Sequence, residues 1–165
     1  MSRCTTENPS LAQAPAVALV ATGQPGDGSS VVLVQQWVHH TDSWNALSVE
    51  AQENVMGRTK ADSVELDDHT KPADSHVART VIEDESGEEL PIFRRNVPYG
   101  TPTNHGTMFV GFSFDPLRLE RMLHRMAGNE DGVRDALTRD TTPLTGAYYV
   151  IPAIYSLTAF ATPEP

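Results

Sequence analysis

The apolar positions of this chain fall into a few short blocks separated by long polar stretches. The first dense block, "VVLVQQWVHH", runs almost without polar interruption at its start and is rich in β-branched and aromatic residues. That is the pattern of a strand buried on both faces where it begins. In "TDSWNALSVEAQENVMGRTK" the apolar residues Trp44, Leu47, Ala51 and Val55 recur at helical spacing. Thr41, Asp42 or Ser43 offers an N-cap and Gly57 a stop, so the pattern predicts a helix. Residues 58–76 are polar and acidic, a loop of a length that is usually functional or disordered. "ARTVIED" and "LPIFRRNV" read as two strands joined by a Ser-Gly turn, and "GTMFVGFSFD" as a third, rich in aromatics. "PLRLERMLHRMAG" is a helix with Pro116 in its first turn, Gly128 past its end and a stripe of Leu117, Leu119, Met122, Leu123 and Met126. A short acidic segment leaves room for a further helix before the last strand, "GAYYVIPAI".

The order strand, helix, three strands, helix, strand approximates a ferredoxin-like βαββαβ unit. The expected class is therefore α+β, an antiparallel sheet with helices on one face, of the dimeric α+β barrel type. Such a unit has an open sheet face that must meet another sheet, a second domain or a bulky ligand. The domain occupies residues 31–158, between a poorly structured segment 1–30 and a tail 159–165.

Composition narrows the partners. With 22 acidic against 12 basic residues the net charge is −10, which argues against nucleic acid and against anionic membranes. Cys4 is the only cysteine, so no internal disulfide and no cysteine-based zinc site can form. No apolar run has the length of a transmembrane helix, and "LAQAPAVALVATG", interrupted by Gln13 and Pro15, makes a poor signal peptide. A soluble, cytoplasmic protein is expected. No repeat of solenoid period is present.

Six histidines are the first candidates for chemistry: His39, His40, His69, His76, His105 and His124. None shows zincin spacing. His39 and His40 end a strand and point to opposite faces, His124 lies at the boundary of an amphipathic helix, and His69 and His105 read as loop residues. His76, in "DSHVART", is open to two readings: a turn histidine, or the imidazole that ligates a haem iron. The second reading needs a cation and a polar group across the pocket to pull a peroxide bond apart. "IFRRNVPYG" offers Arg94 and Asn96 on one strand face, with Arg95 on the other. The same residues also suit a solvated edge strand paired with the acidic loop.

Taken together, "NVMGRTKADSVELDDHTKPADSHVART", "IFRRNVPYG", "GTMFVGFSFD" and "TTPLTGAYYVIPA" resemble the C-terminal half of a dye-decolourising peroxidase of the bacterial class B type. "QQWVHHTDSWNALS" matches as well, and the resemblance runs through nearly the whole chain from "TENPS". It implies one haem b per chain with His76 as proximal iron ligand. It also implies Arg94 as the cation that activates hydrogen peroxide and Asn96 as a hydrogen-bonding group beside it. Dyes, phenolics or other small aromatic donors would be the reductants.

Two departures accompany the resemblance. The family carries a "GxxDG" motif before "TENP" whose aspartate is an acid–base group; here Cys4 stands in its place and Thr5 replaces the last glycine. Near "LTRDTTPLTG" an ungapped match puts Arg139 where relatives have a carboxylate that orients the histidine, with Asp140 one residue on as the expected substitute. The family's first ferredoxin-like unit has no counterpart, so a truncated member is expected; a homodimer or oligomer covering its open face and a gene fragment or misplaced start codon are equally open readings. A haem-binding remnant without turnover, and a metal-free barrel with a small-molecule pocket, are the alternatives. Trp37, Tyr148 and Tyr149 could pass electrons, but they read first as core aromatics.

Overall fold

The computed structural model describes residues 8–161. Among them, α1 (Ala14–Ala18) lies within the stretch expected to be poorly structured, and β1 (Ser30–His39) opens the sheet. The predicted first helix is two: α2 (Thr41–Ala46) and α3 (Val49–Met56). Leu47 leaves the helical region and Ser48 restarts it, its side chain accepting from the Ala51 N–H at 3.2 Å. A local cap thus wins over the continuous apolar spacing.

The segment predicted as a strand around "ARTVIED" begins instead as a helix, α4 (His76–Thr80), with Ser75 as N-cap. Of the expected hairpin there remains a bridge between Glu83 and Glu89, flanked by bonds from the Leu90 N–H to the Ile82 carbonyl at 2.8 Å and from the Asp84 N–H to the Glu88 carbonyl at 2.9 Å. Ser75 explains the correction. Its hydroxyl satisfies a first-turn N–H, which a β-rich sequence such as "VARTVI" does not advertise. β2 (Phe93–Arg94) and β3 (Val97–Gly100) both pair with β4 (His105–Ser113). Next come α5 (Pro116–Ala127), a 3₁₀ turn (Ala136–Arg139), β5 (Thr141–Ile151) and α6 (Ile154–Ala161). α6 reaches into the expected tail.

The sheet order is β2-β4-β1-β5, with β3 continuing the β2 edge, and every pairing is antiparallel. Counting β2 and β3 as one interrupted strand, this is the ferredoxin-like arrangement. Leu33, Ile82, Ile92, Leu119 and Met122 form the core between the sheet and α5. Gly111 lies opposite Leu33, and a Cβ there would come within 2.8 Å of the Phe109 ring and 3.2 Å of Leu119. The glycine lets α5 settle onto the sheet. Leu117, assigned to the apolar stripe of α5, is 60% exposed, while Leu119 is 0% exposed. The stripe therefore starts one residue pair later than its spacing suggests. No helix of the described residues is long and apolar enough to cross a membrane.

β5 is an edge strand. Opposite residues of an antiparallel pair share a face, so Tyr148, paired with Leu33, lies on the helix side and Tyr149, paired with Val32, on the other. Both are exposed, which corrects their reading as core aromatics.

Gly57 ends α3 in the left-handed region at φ 79° and abuts Ser75, with a virtual Cβ 2.9 Å from the hydroxyl. Gly57→Ala is expected to destabilise the fold by about 1–3 kcal/mol through backbone strain and displacement of that cap. A urea midpoint unchanged from the wild type would contradict this.

Candidate active site

A cavity of about 430 Å³ opens beyond the core, between the sheet and α4 and α5. Its sheet wall follows from strand alternation. Leu33 of β1 belongs to the core, and Gln35, Trp37 and His39 continue the same face into the cavity. Their partners across β4, Phe109 and Thr107, line it too, as does His105. β5 carries an extra residue, Leu144, opposite the step from Gln36 to Trp37, with Pro143 beside it. Such a bulge raises local twist and is where proline is tolerated in a strand.

His76 enters this cavity as the first residue of α4. Its Nδ1–H donates to Asp135 Oδ2 at 2.7 Å. Asp135 is 0% exposed, and its other oxygen caps the 3₁₀ turn by accepting from the Leu137 N–H at 2.9 Å. A buried carboxylate is tolerated only with its lone pairs satisfied; here an imidazole and a helix start share one. The main chain adds a further tie, the Ala136 N–H donating to the Asp74 carbonyl at 2.7 Å. With Nδ1 occupied, Nε2 is the nitrogen His76 has for a ligand in the cavity.

The orienting carboxylate is therefore Asp135, not Asp140. Asp140 also lines the cavity, but it accepts from Ser43 Oγ at 2.5 Å, and its main-chain oxygen accepts from the His40 N–H at 2.8 Å. Arg139 points away, its guanidinium reaching Asp74 at 3.2 Å. The ungapped match erred because "RDALTRD" contains two aspartates five positions apart. The first begins a short helix, and N-cap chemistry was the signal that singles it out.

α4 itself is held from behind. Arg79 is buried; it donates through Nε and Nη2 to the Arg125 carbonyl at the end of α5, at 3.1 and 3.0 Å. The same guanidinium grips Asp131 through both carboxylate oxygens at 2.8 Å each. Arg125 returns a bond to the Ala78 carbonyl at 2.9 Å. The helix that presents His76 is thereby tied to α5 by charge-assisted bonds.

Arg94 and Asn96 reach the cavity from the other chain segment. The strand predicted to carry both breaks after Arg94 and resumes at Val97, yet the two side chains still line one space. Arg94 lies directly opposite Gly111. Burial pushes its guanidinium below its ordinary value; Glu89 works against that fall and Arg58 adds to it. An arginine remains charged regardless, so the cavity holds a fixed cation.

Two more imidazoles line the cavity. His105, expected in a loop, begins β4 and meets Thr41 Oγ1 through Nε2 at 3.0 Å, while His39 meets Thr107 Oγ1 at 3.1 Å. Burial and the neighbouring His105 keep the His39 imidazole below its ordinary value. His69 is exposed in the acidic loop, and His124 is exposed on α5. Cys4 lies outside the described residues. No cluster of three or more His, Cys, Asp or Glu able to hold a bare metal ion occurs among the described residues. A metal here would need most of its ligands from elsewhere, as an iron porphyrin supplies them.

A sequence model of the family described as "Dyp-type peroxidase, C-terminal" matches residues 4–156. A dye-decolorizing peroxidase of Rhodococcus erythropolis is 47% identical over 152 residues, covering 89% of this chain and 44% of the relative. The solved structure of DyPB from Rhodococcus jostii superposes with a TM-score of 0.87 at 40% identity, covering 92% of this chain and 50% of that one. A variant of DyPB from the same organism, solved in complex with heme, matches at a TM-score of 0.87 and 39% identity, with the same coverage. The chain thus spans about half the length of the relatives it matches.

Asp135→Ala strands the His76 Nδ1–H and the Leu137 N–H and is expected to cost roughly 1–3 kcal/mol for each donor left without a partner. Urea denaturation measures this, and a loss no larger than that of an exposed Asp→Ala change would refute the linkage. The Arg79 guanidinium holds the Asp131 carboxyl below its ordinary value. The stabilisation from this depressed carboxylate is complete above the ordinary carboxylate range and is lost as pH falls through the folded-state value. Asp131→Asn should therefore be less stable than the wild type at neutral pH, the two converging in acid. A gap in denaturation midpoint that persists at low pH would speak against it.

Proposed function

This chain belongs to the Dyp-type peroxidase family as its C-terminal domain, and from that premise we propose that it is a haem-carrying peroxidase unit that reduces hydrogen peroxide with electrons from dyes, phenolics or other small aromatic donors. The carrying observation is His76 at the cavity wall with Nδ1 tied to a fully buried Asp135, in the same space as the cation of Arg94.

The residues present fit one haem b. The volume is in the range of about 300–1,000 Å³ usual for small-molecule sites, and Met122, Met126, Leu137 and Phe109 give it apolar wall. His76 would ligate the iron through Nε2. Asp135 fixes its tautomer and ring plane and, by accepting from Nδ1, makes Nε2 a stronger donor. Bound there, haem would supply the two-electron reduction of peroxide and the one-electron oxidation of the donor. Arg94 would draw on the peroxide oxygen that gains negative charge as the O–O bond lengthens, and Asn96 would add a hydrogen bond. Because strand pairing holds Arg94, little reorganisation is needed when that charge appears.

A second reading keeps haem binding without turnover. The apolar side chains exposed along β5 and α6 favour it to the extent that they make a surface to be covered by a second copy of the chain or by another unit. Action in the cytoplasm suits both readings, given the acidic charge and single thiol.

Titration of the purified chain with hemin separates them. The wild type should give a Soret band at one haem per chain and oxidise a dye when peroxide is added. His76→Ala should lose the ligated spectrum. Arg94→Leu should keep haem and lose about 10²–10³ in peroxide-driven turnover, the usual worth of one well-aimed charge-stabilising donor. Haem binding without turnover in the wild type would select the second reading. A spectrum indifferent to His76→Ala would end both.

A further inference from the structure

We infer that Asn8 is the positioning residue of Arg94, acting on its main chain rather than on any bound molecule; the inference rests on the functional reading above. β2 has only two residues, Phe93 and Arg94, paired with Phe112 and Gly111. So short an edge strand holds the Arg94 backbone from the β4 side alone.

Alternation along the strand sets the problem. The Arg95 N–H donates to the Val110 carbonyl of β4 at 2.8 Å. The N–H and C=O of Arg94 therefore face the other way, toward the open edge. There the carboxamide of Asn8, 86 positions away in sequence, meets both. Its Nδ2 donates to the Arg94 carbonyl oxygen at 2.8 Å, and the Arg94 N–H donates to its Oδ1 at 2.7 Å. One side chain thus stands in for a neighbouring strand, presenting a donor and an acceptor in the arrangement a peptide group would. Aspartate lacks the donor, and serine has a single oxygen with which to face two groups.

Asn8 does not line the cavity; Arg94 does. Its effect therefore passes through the Arg94 backbone. With φ and ψ of Arg94 held between Gly111 on one side and Asn8 on the other, the long side chain starts from one fixed Cα–Cβ direction, and fewer rotamers remain to be lost when it meets an anion. The contact also places Asn8 itself against the strand that carries the cation. Two positions 86 residues apart are thereby joined by one amide.

The test uses fluoride, a small anion whose binding to ferric haem is read from the absorption spectrum without turnover. Asn8→Ala in the full chain should weaken fluoride binding about tenfold, the worth of one or two neutral hydrogen bonds. In an Arg94→Leu background the same change should do nothing further. A second measurement needs no haem: the Arg94 amide should exchange with solvent at least about tenfold faster in Asn8→Ala. Asn8→Asp, which can still accept from that N–H, should restore the protection. Wild-type fluoride affinity in Asn8→Ala, an equal loss in both backgrounds, or unchanged exchange at Arg94 each overturns the proposal. A wild-type chain that takes up no haem overturns the functional reading instead, and amide exchange then decides by itself whether Asn8 holds Arg94.

Discussion

A carboxylate with no access to water imposes strict conditions on what surrounds it, and Asp135 imposes them on this site. An ion so placed costs several kcal/mol unless each of its oxygens finds a donor. Asp135 finds the imidazole of His76 and the first free N–H of a 3₁₀ turn. The imidazole lies 59 residues from the carboxylate it bonds, so the buried charge can be accommodated only when α4 and the turn before β5 are docked. Ser75, equally buried, starts α4 at the one place where His76 can reach. The orientation of the imidazole is thus a consequence of satisfying a charge. It is not an independent feature added to a finished fold.

The cation of the site has a different origin. His76 comes from a helix pinned by Arg79 and Arg125, while Arg94 comes from the far edge of the sheet. The Leu33–Leu119 core lies between helix layer and sheet and sets their separation, so the relative placement of imidazole and guanidinium is a packing property. Both groups are polar and both face a partly apolar space. Each carries its own support: a carboxylate behind the histidine, strand pairing and Glu89 near the arginine. Pre-organisation of this kind lets a site act on developing charge without first rearranging.

Much of this was legible in the chain. The blocks 31–40 and 106–115 became, within a residue or two, β1 and β4, and Pro116 and Gly128 marked the ends of α5 as their backbone chemistry requires. His76, Arg94 and Asn96, singled out for the site, line one cavity. What escaped was decided by single side chains that periodicity does not weigh. Ser48 split a helix whose apolar spacing was continuous, and Ser75 turned "HVART" into a helix against its β-rich composition. Asp135 was passed over for Asp140 because the alignment counted positions, whereas burial and capping distinguish the two. His105 looked like loop solvent, yet it opens β4 by pairing with Gly100 of β3, and its ring meets that of His39 on β1, a contact no local pattern reveals.

β5 raises the remaining physical question. Edge strands avoid unwanted pairing through proline, bulges, charge or brevity. The first half of β5 uses two of these, Pro143 and the extra residue at Leu144. The second half, from Gly146 to Ile151, uses none: it is regular, uncharged and bears Tyr148, Tyr149 and Val150 exposed on alternate faces. Burying apolar area of this kind is worth about 25 cal/mol per Å², and leaving it in water is a standing invitation to association. The protection is confined to the end of the strand beside the cavity, where a bulge also shapes the wall, and is withheld from the end beside α6. The two ends of one edge strand thus differ physically: the cavity end is blunted by proline and a bulge, and the α6 end carries exposed apolar side chains on both faces.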